Sequence, residues 1–75
     1  MIRKTVFGIV SDQTNYEPGE LSTKHSLFDD LSMDGEEFLT LIAILEDEFD
    51  IVFDENAIED IDTLSDIIKV IEENL

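Results

Sequence analysis

The sequence contains no cysteine, so neither a disulfide framework nor a thiolate metal site is available to it. That absence suits a reducing compartment, and a cytoplasmic location is the expectation. Positive charge is almost as scarce. Only Arg3, Lys4, Lys24 and Lys69 oppose twenty carboxylates, for a formal net charge of −16. Nucleic-acid binding needs basic groups that displace counterions from phosphate, and a chain this acidic does not offer them. An anionic membrane surface would repel it for the same reason. No apolar run approaches the length of a membrane span. The segment 1–10 carries Arg3 and Lys4 ahead of Val6 to Val10, yet it is too short and interrupted for a signal peptide, and no small-residue cleavage site follows. The expected partners therefore include neither nucleic acid nor membrane.

What remains is acid and aliphatic side chain. Association with basic patches on other proteins would be steered by charge and weakened by salt. The same charge repels itself within the folded chain and argues for a monomer. At 75 residues the chain is expected to form one small domain over 1–75, with no room for a deep cleft beside its core. High acidity can signal disorder, but apolar residues make up 43% of the chain and recur periodically, which favours a folded core.

Ile2, Val6, Ile9 and Val10 lie at the spacing of one helical face and predict a first helix over 2–13, slightly weakened by Gly8. A long connection over 14–33 follows. Asn15, Pro18 and Gly19 are its turn residues, and Leu27, Phe28 and Leu31 are its apolar anchors. Asp34 is an N-cap, and Glu37 three residues later completes an acidic capping box. Phe38, Leu41, Ile42, Leu45 and Phe49 then form a continuous helical stripe, broadened by Leu39, Ala43 and Ile44. Glu46, Asp47, Glu48 and Asp50 crowd the carboxyl end of this helix, where the dipole disfavours anions, which suggests service to a partner. Asp54 is expected to cap a short third helix containing Ala57 and Ile58. Thr63, with Asp66, is expected to cap a last one whose buried face is Leu64, Ile67, Ile68, Ile71 and Leu75. The β-branched pair Ile51-Val52 has no strand to join and reads as extended loop. The pattern predicts an all-α bundle of three to four helices with a long first loop. The expected core is Val6, Ile9, Val10, Leu27, Phe28, Leu31, Leu41, Ile42, Leu45, Phe49, Ile58, Ile61, Leu64, Ile67, Ile68 and Ile71.

This order of elements, with Ser26-Leu27-Phe28-Asp29-Asp30-Leu31, Asp34, Glu37, Leu39, Leu41, Ile42 and Leu45-Glu46-Asp47-Glu48-Phe49, resembles the acyl carrier protein family over nearly the whole chain. Asp54-Glu55 and Thr63 match the starts of that family's third and fourth helices. The resemblance implies the carrier fold, no catalysis, and a role in fatty-acid, polyketide or related acyl metabolism. It also implies a second helix that docks on basic patches of acyl-processing enzymes or of a phosphopantetheinyl transferase-like protein. The residues implied in docking are Asp34, Glu36, Glu37, Leu39, Ala43, Glu46 and Asp47.

Two positions depart from the family pattern. Gly35 stands where the family has the serine that receives 4′-phosphopantetheine, and Glu36 where a leucine is usual. Transfer of that group needs an oxygen nucleophile, and glycine has none, so no prosthetic group is expected on this chain. Ser32 would substitute only after a three-residue shift that spoils the match at Phe49. Adjacent departures fit natural divergence better than one introduced change. An acidic protein-interaction module that uses the fold without cargo is the alternative reading.

Other chemistry is weaker. Asp30, Ser32, Asp34 and Gly35 imitate the first half of a calcium loop, but the twelfth position, which must supply a bidentate glutamate, is Leu41. No metal site is expected. His25 beside Ser22 and Ser26 reads as a solvated loop residue rather than a catalytic base.

Overall fold

The apolar periodicities of the sequence become four helices. The computed structural model describes residues 2–75, with α1 at Ile2–Gln13, a 3-10 turn at Pro18–Glu20, α2 at Gly35–Phe49, α3 at Glu55–Asp60 and α4 at Leu64–Asn74. No strand occurs among the described residues, and Ile51-Val52 is irregular as expected. An isolated antiparallel bridge joins Ser26 to Thr63. Helix α1 packs on α2, on α4 and on the 3-10 turn.

Eight side chains are essentially sealed from solvent and form the centre: Val6, Val10, Leu27, Leu41, Leu45, Leu64, Ile67 and Ile71. The expected core needs correction around them. Ile9, Phe49, Ile58 and Ile68 are only partly buried and pack on its rim. Phe28 is 38% exposed. It sits one residue off the inward face shared by Leu27 and Leu31, four apart in a tight turn where Ser26 O accepts from Asp30 N and Leu31 N. Its ring instead packs edge-on against Phe38, centroids 5.2 Å apart. Leu75 lies beyond the end of α4 and is exposed. In exchange, Phe7, Leu21, Met33, Phe38 and Phe53 are buried. Phe7 is covered because α1 has neighbours on more than one side.

The termini of α2 and α4 follow from their caps. The Asp34 carboxylate accepts from Glu37 N at 2.8 Å, and the Glu37 carboxylate accepts from Asp34 N at 3.1 Å. A cap of this kind contributes about 1 kcal/mol. At α4, Thr63 Oγ1 accepts from Asp66 N at 3.2 Å, while Asp66 Oδ2 accepts from Asp62 N and Thr63 N at 2.9 and 3.0 Å. Asp54 occupies the N-cap position of α3 with extended backbone, but its side chain makes no capping bond. This short helix buries none of its side chains fully, so tertiary packing enforces little geometry there.

The long loop is laid across the α3–α4 junction. Leu27 N donates to Asp62 O at 2.8 Å, Leu64 N to His25 O at 3.2 Å, and Ser65 N to Thr23 O at 2.9 Å. The buried Ser26 hydroxyl donates to Asp62 Oδ1 at 2.7 Å. Met33 N donates to Leu27 O at 3.0 Å, which sets the approach of the chain to α2.

Helix α2 ends on Asp50, which is left-handed at φ 55°, ψ 49°. Aspartate tolerates this region less well than glycine, and its charge lies at the negative end of the helix dipole. Asp50→Gly is expected to raise stability by about 1 kcal/mol, read as a higher denaturant midpoint at unchanged slope.

The Thr63 amide, with a smaller contribution from the Asp62 amide, holds the Asp66 carboxyl below its ordinary value of 3.8, against a partial desolvation cost. A depressed carboxyl stabilises the fold above its unfolded-state pKa and loses that contribution as pH falls through its folded value. The stability advantage of the parent over Asp66→Asn should therefore be constant at neutral pH and shrink below pH 3.8. Urea titrations of both proteins across that range test this, and a difference independent of pH would exclude the role given to Asp66.

Candidate functional site

The start of α2 is the most distinctive surface of the fold. Asp34 has extended backbone and Gly35 is the first helical residue. Position 35 is exposed, and a Cβ built there meets no heavy atom within 4 Å. Its φ is not positive, so a side chain would be accommodated without backbone strain. Gly35 therefore lies at the amino end of α2, open to solvent, and offers no side-chain atom for covalent chemistry. The nearest hydroxyls in sequence are Ser32 and Thr40. Ser32 is exposed on a left-handed backbone at φ 57°, and Thr40 Oγ1 donates to Glu36 O at 3.0 Å.

From Gly35 onward the helix splits into two faces. Phe38, Leu41, Ile42 and Leu45 turn into the core. Glu36, Leu39, Ala43 and Asp47 turn out, and Leu39 keeps 60% of its surface in water. An exposed leucine flanked by carboxylates suits a partner that offers an apolar contact with a cationic rim. Asp34 and Glu37 are also exposed, but their carboxylates are tied into the capping box. Glu46 is half-buried, and its Oε2 accepts from Phe53 N at 2.8 Å across the α2–α3 turn. Two of the acids at the end of α2 thus have internal employment, while Asp47 and Glu48 face solvent. Glu46 holds the following loop, and Asp50 forms the left-handed stop.

Two positioning residues carried no signal in the sequence pattern. Gln13, at the end of α1, donates from Nε2 to Glu37 O at 2.9 Å and so ties α1 to the first turn of α2. Its Oε1 is buried without a partner. Tyr16 donates its hydroxyl to Asp30 O at 3.2 Å and holds the loop against the segment that leads into α2. Both depend on contacts between residues distant in sequence, which local patterning does not encode.

The remaining candidates resolve simply. His25 Nδ1 accepts from Ser22 N at 3.0 Å, and the Ser26 hydroxyl is committed to Asp62, so no serine–histidine–acid arrangement forms. Leu41 is fully buried, and no cluster of three or more metal-ligating side chains occurs among the described residues. No helix among them is long and apolar enough to cross a membrane.

A four-helix chain with a long, pinned first loop and an acidic second helix has clear relatives. The family model for the phosphopantetheine attachment site matches residues 4–71. The chain is 36% identical over 67 residues to an acyl carrier protein of Phenylobacterium zucineum, covering 89% of this chain and 85% of the relative. It is 37% identical over 71 residues to an acyl carrier protein of Prochlorococcus marinus, covering 95% and 89%. A solved structure from Mycobacterium tuberculosis, of a protein assigned as an acyl carrier, superposes with a TM-score of 0.90 at 25% identity, over 97% of each chain. The chain belongs to the phosphopantetheine-attachment family, that of the acyl carrier proteins. Members are non-catalytic carriers with a covalently attached phosphopantetheine that work with acyl-processing enzymes, usually in fatty-acid metabolism.

The bond from Phe53 N to Glu46 predicts a separation between charge and hydrogen bonding. Both Glu46→Ala and Glu46→Gln remove an anion, but only glutamine keeps an acceptor for the amide. The alanine variant should be less stable than the glutamine variant by about 1–2 kcal/mol in denaturant unfolding.

Proposed function

We propose that this chain is a carrier-fold docking domain, spanning 1–75, that presents α2 to basic patches on acyl-processing enzymes without bearing phosphopantetheine at position 35. The observation that carries the reading is Gly35 itself. It follows the capping Asp34, begins α2, faces solvent and has no oxygen to offer. The joint register of Asp34, Glu37 and Leu45-Glu46-Asp47-Glu48-Phe49 supports matching the family's attachment serine to this position. Supporting the docking role, Glu36, Leu39, Ala43 and Asp47 form one exposed strip on a chain of net charge −16. Asp34, Glu37 and Glu46 flank that strip, with carboxylates fixed by backbone bonds. Glu36 adds a negative charge where relatives present an apolar contact, which suits a partner more cationic than usual at that point. A transferase-like protein that recognises the fold is a partner of the same type.

The chemistry follows from the absent atom. Transfer of phosphopantetheine requires attack by a side-chain oxygen on the pyrophosphate of coenzyme A. With hydrogen at position 35 that attack has no nucleophile, whereas the electrostatics of docking are untouched.

Incubation with a phosphopantetheinyl transferase and coenzyme A, read by intact mass, is expected to leave the parent chain unchanged. Gly35→Ser should gain a single prosthetic group and fold as stably as the parent, because its Cβ has open space. Modification of the parent at Ser32 or any other hydroxyl would overturn the register and the proposal with it.

A further inference from the structure

Two of the four basic residues lie together, on the side of α1 that faces the 3-10 turn. Arg3, Lys4, Phe7 and Gly8 form one wall of a groove of about 700 Å³, and Pro18, Gly19 and Leu21 form the other. Its surface is mostly hydrocarbon, from Phe7, Pro18 and Leu21. Phe7 and Leu21 are nearly buried and make its floor. Gly8 and Gly19 lie on its lining, and a Cβ at either would meet nothing within 4 Å. Arg3 and Lys4 are exposed at the rim, and the Arg3 guanidinium lies 5.3 Å from the centroid of the Phe7 ring. Stacked that way, it keeps its N–H edge free to meet an anion. The first turn of α1 carries no acidic residue, so its dipole adds to the local positive potential.

We propose that this groove binds a small anionic amphiphile, a single aliphatic tail ending in one carboxylate. Its volume lies within the range of small-molecule sites, and its make-up of apolar walls with a few polar groups at one end is theirs also. The tail would lie over Phe7, Leu21 and Pro18, with the carboxylate between Arg3 and Lys4. The charge distribution selects a small ligand over a macromolecule. An acidic protein, an anionic bilayer or a second copy of this chain would bring many charges against a surface of net −16. A monoanion brings one, and screening over about 8 Å at physiological ionic strength leaves it to meet chiefly Arg3 and Lys4 and the two acids of the facing turn, Glu17 and Glu20, which hold each other's backbone in a capping box. This site shares no residue with the α2 strip and does not depend on the reading of Gly35.

Octanoate, with 1-octanol as its uncharged counterpart, tests the proposal by amide chemical-shift titration of the whole chain. Saturable shifts are expected at residues 3–8 and 19–21, with octanoate binding about fivefold tighter than octanol. The double variant Arg3→Gln/Lys4→Gln should lower octanoate to the level of octanol. Gly8→Leu fills the groove and should weaken both ligands by about tenfold or more, with the helical content retained. Should Gly8→Leu not fold, Gly19→Leu obstructs the facing wall and carries the same expectation. Shifts centred on Leu39 to Ile44, a linear unsaturated response, or undiminished binding by a folded groove-filling variant would each overturn the assignment. So would concentration-dependent broadening of the groove amides without ligand, which would make a second copy the occupant.

Discussion

The arrangement depends on Leu27, a loop residue that belongs to the core. Its side chain is fully sealed, its amide is bonded to Asp62 O and its carbonyl to Met33 N. Burying a leucine contributes about 2 kcal/mol, and satisfying both backbone groups removes the main cost of placing loop backbone inside a protein. The consequence reaches in two directions. Toward Asp62, it fixes the loop to the α3–α4 junction, where Ser26 adds a buried hydroxyl–carboxylate bond. Toward Met33, it fixes the last turn before Asp34, and so determines where α2 begins and where Gly35 emerges. A long connection without such an anchor would leave the start of α2 undefined.

The acidity of the chain is not only a surface property. Carboxylates serve as acceptors for backbone amides at nearly every break between elements. Glu20 takes the amide of Glu17, Asp30 that of Ser26, Glu37 that of Asp34, Glu46 that of Phe53, and Asp66 those of Asp62 and Thr63. A hydrogen bond to an ionised acceptor is stronger than one between neutral groups, and each holds a turn that cations would otherwise have to organise. A chain with four basic residues cannot stitch its loops with ion pairs, and it uses its abundant acids on its own backbone instead. Glu36 and Asp47, on the outer strip of α2, make no such bond and face solvent.

The regular elements were legible because their signals are local. The 2–13 helix, the Asp34–Glu37 box and the Thr63–Asp66 box each lie within a few residues, and the structure reproduces them. The loop was legible only in outline. Leu27 and Leu31 were readable as anchors, but nothing periodic distinguishes inward Leu21 and Met33 from outward Phe28 in a segment of turns. Asp54 had the right residue type for a cap and the right backbone, yet its carboxylate makes no capping bond. At the candidate site, the cap and the glycine that follows it could be read from the chain, but the open space around that glycine could not. The ties from Gln13 and Tyr16 could not, because they join parts of the molecule that sequence separates by 24 and 14 residues.

The open surroundings of position 35 bear on how such a chain can change over time. Packing exerts no selection there, since neither the bundle nor the backbone conformation discriminates among small side chains. On the proposed register, folding and covalent loading are thus under separate control in this scaffold. A lineage could pass through a mute form at that residue without ever passing through an unfolded one, and the rest of the helix would remain exposed to whatever pressure its partners apply.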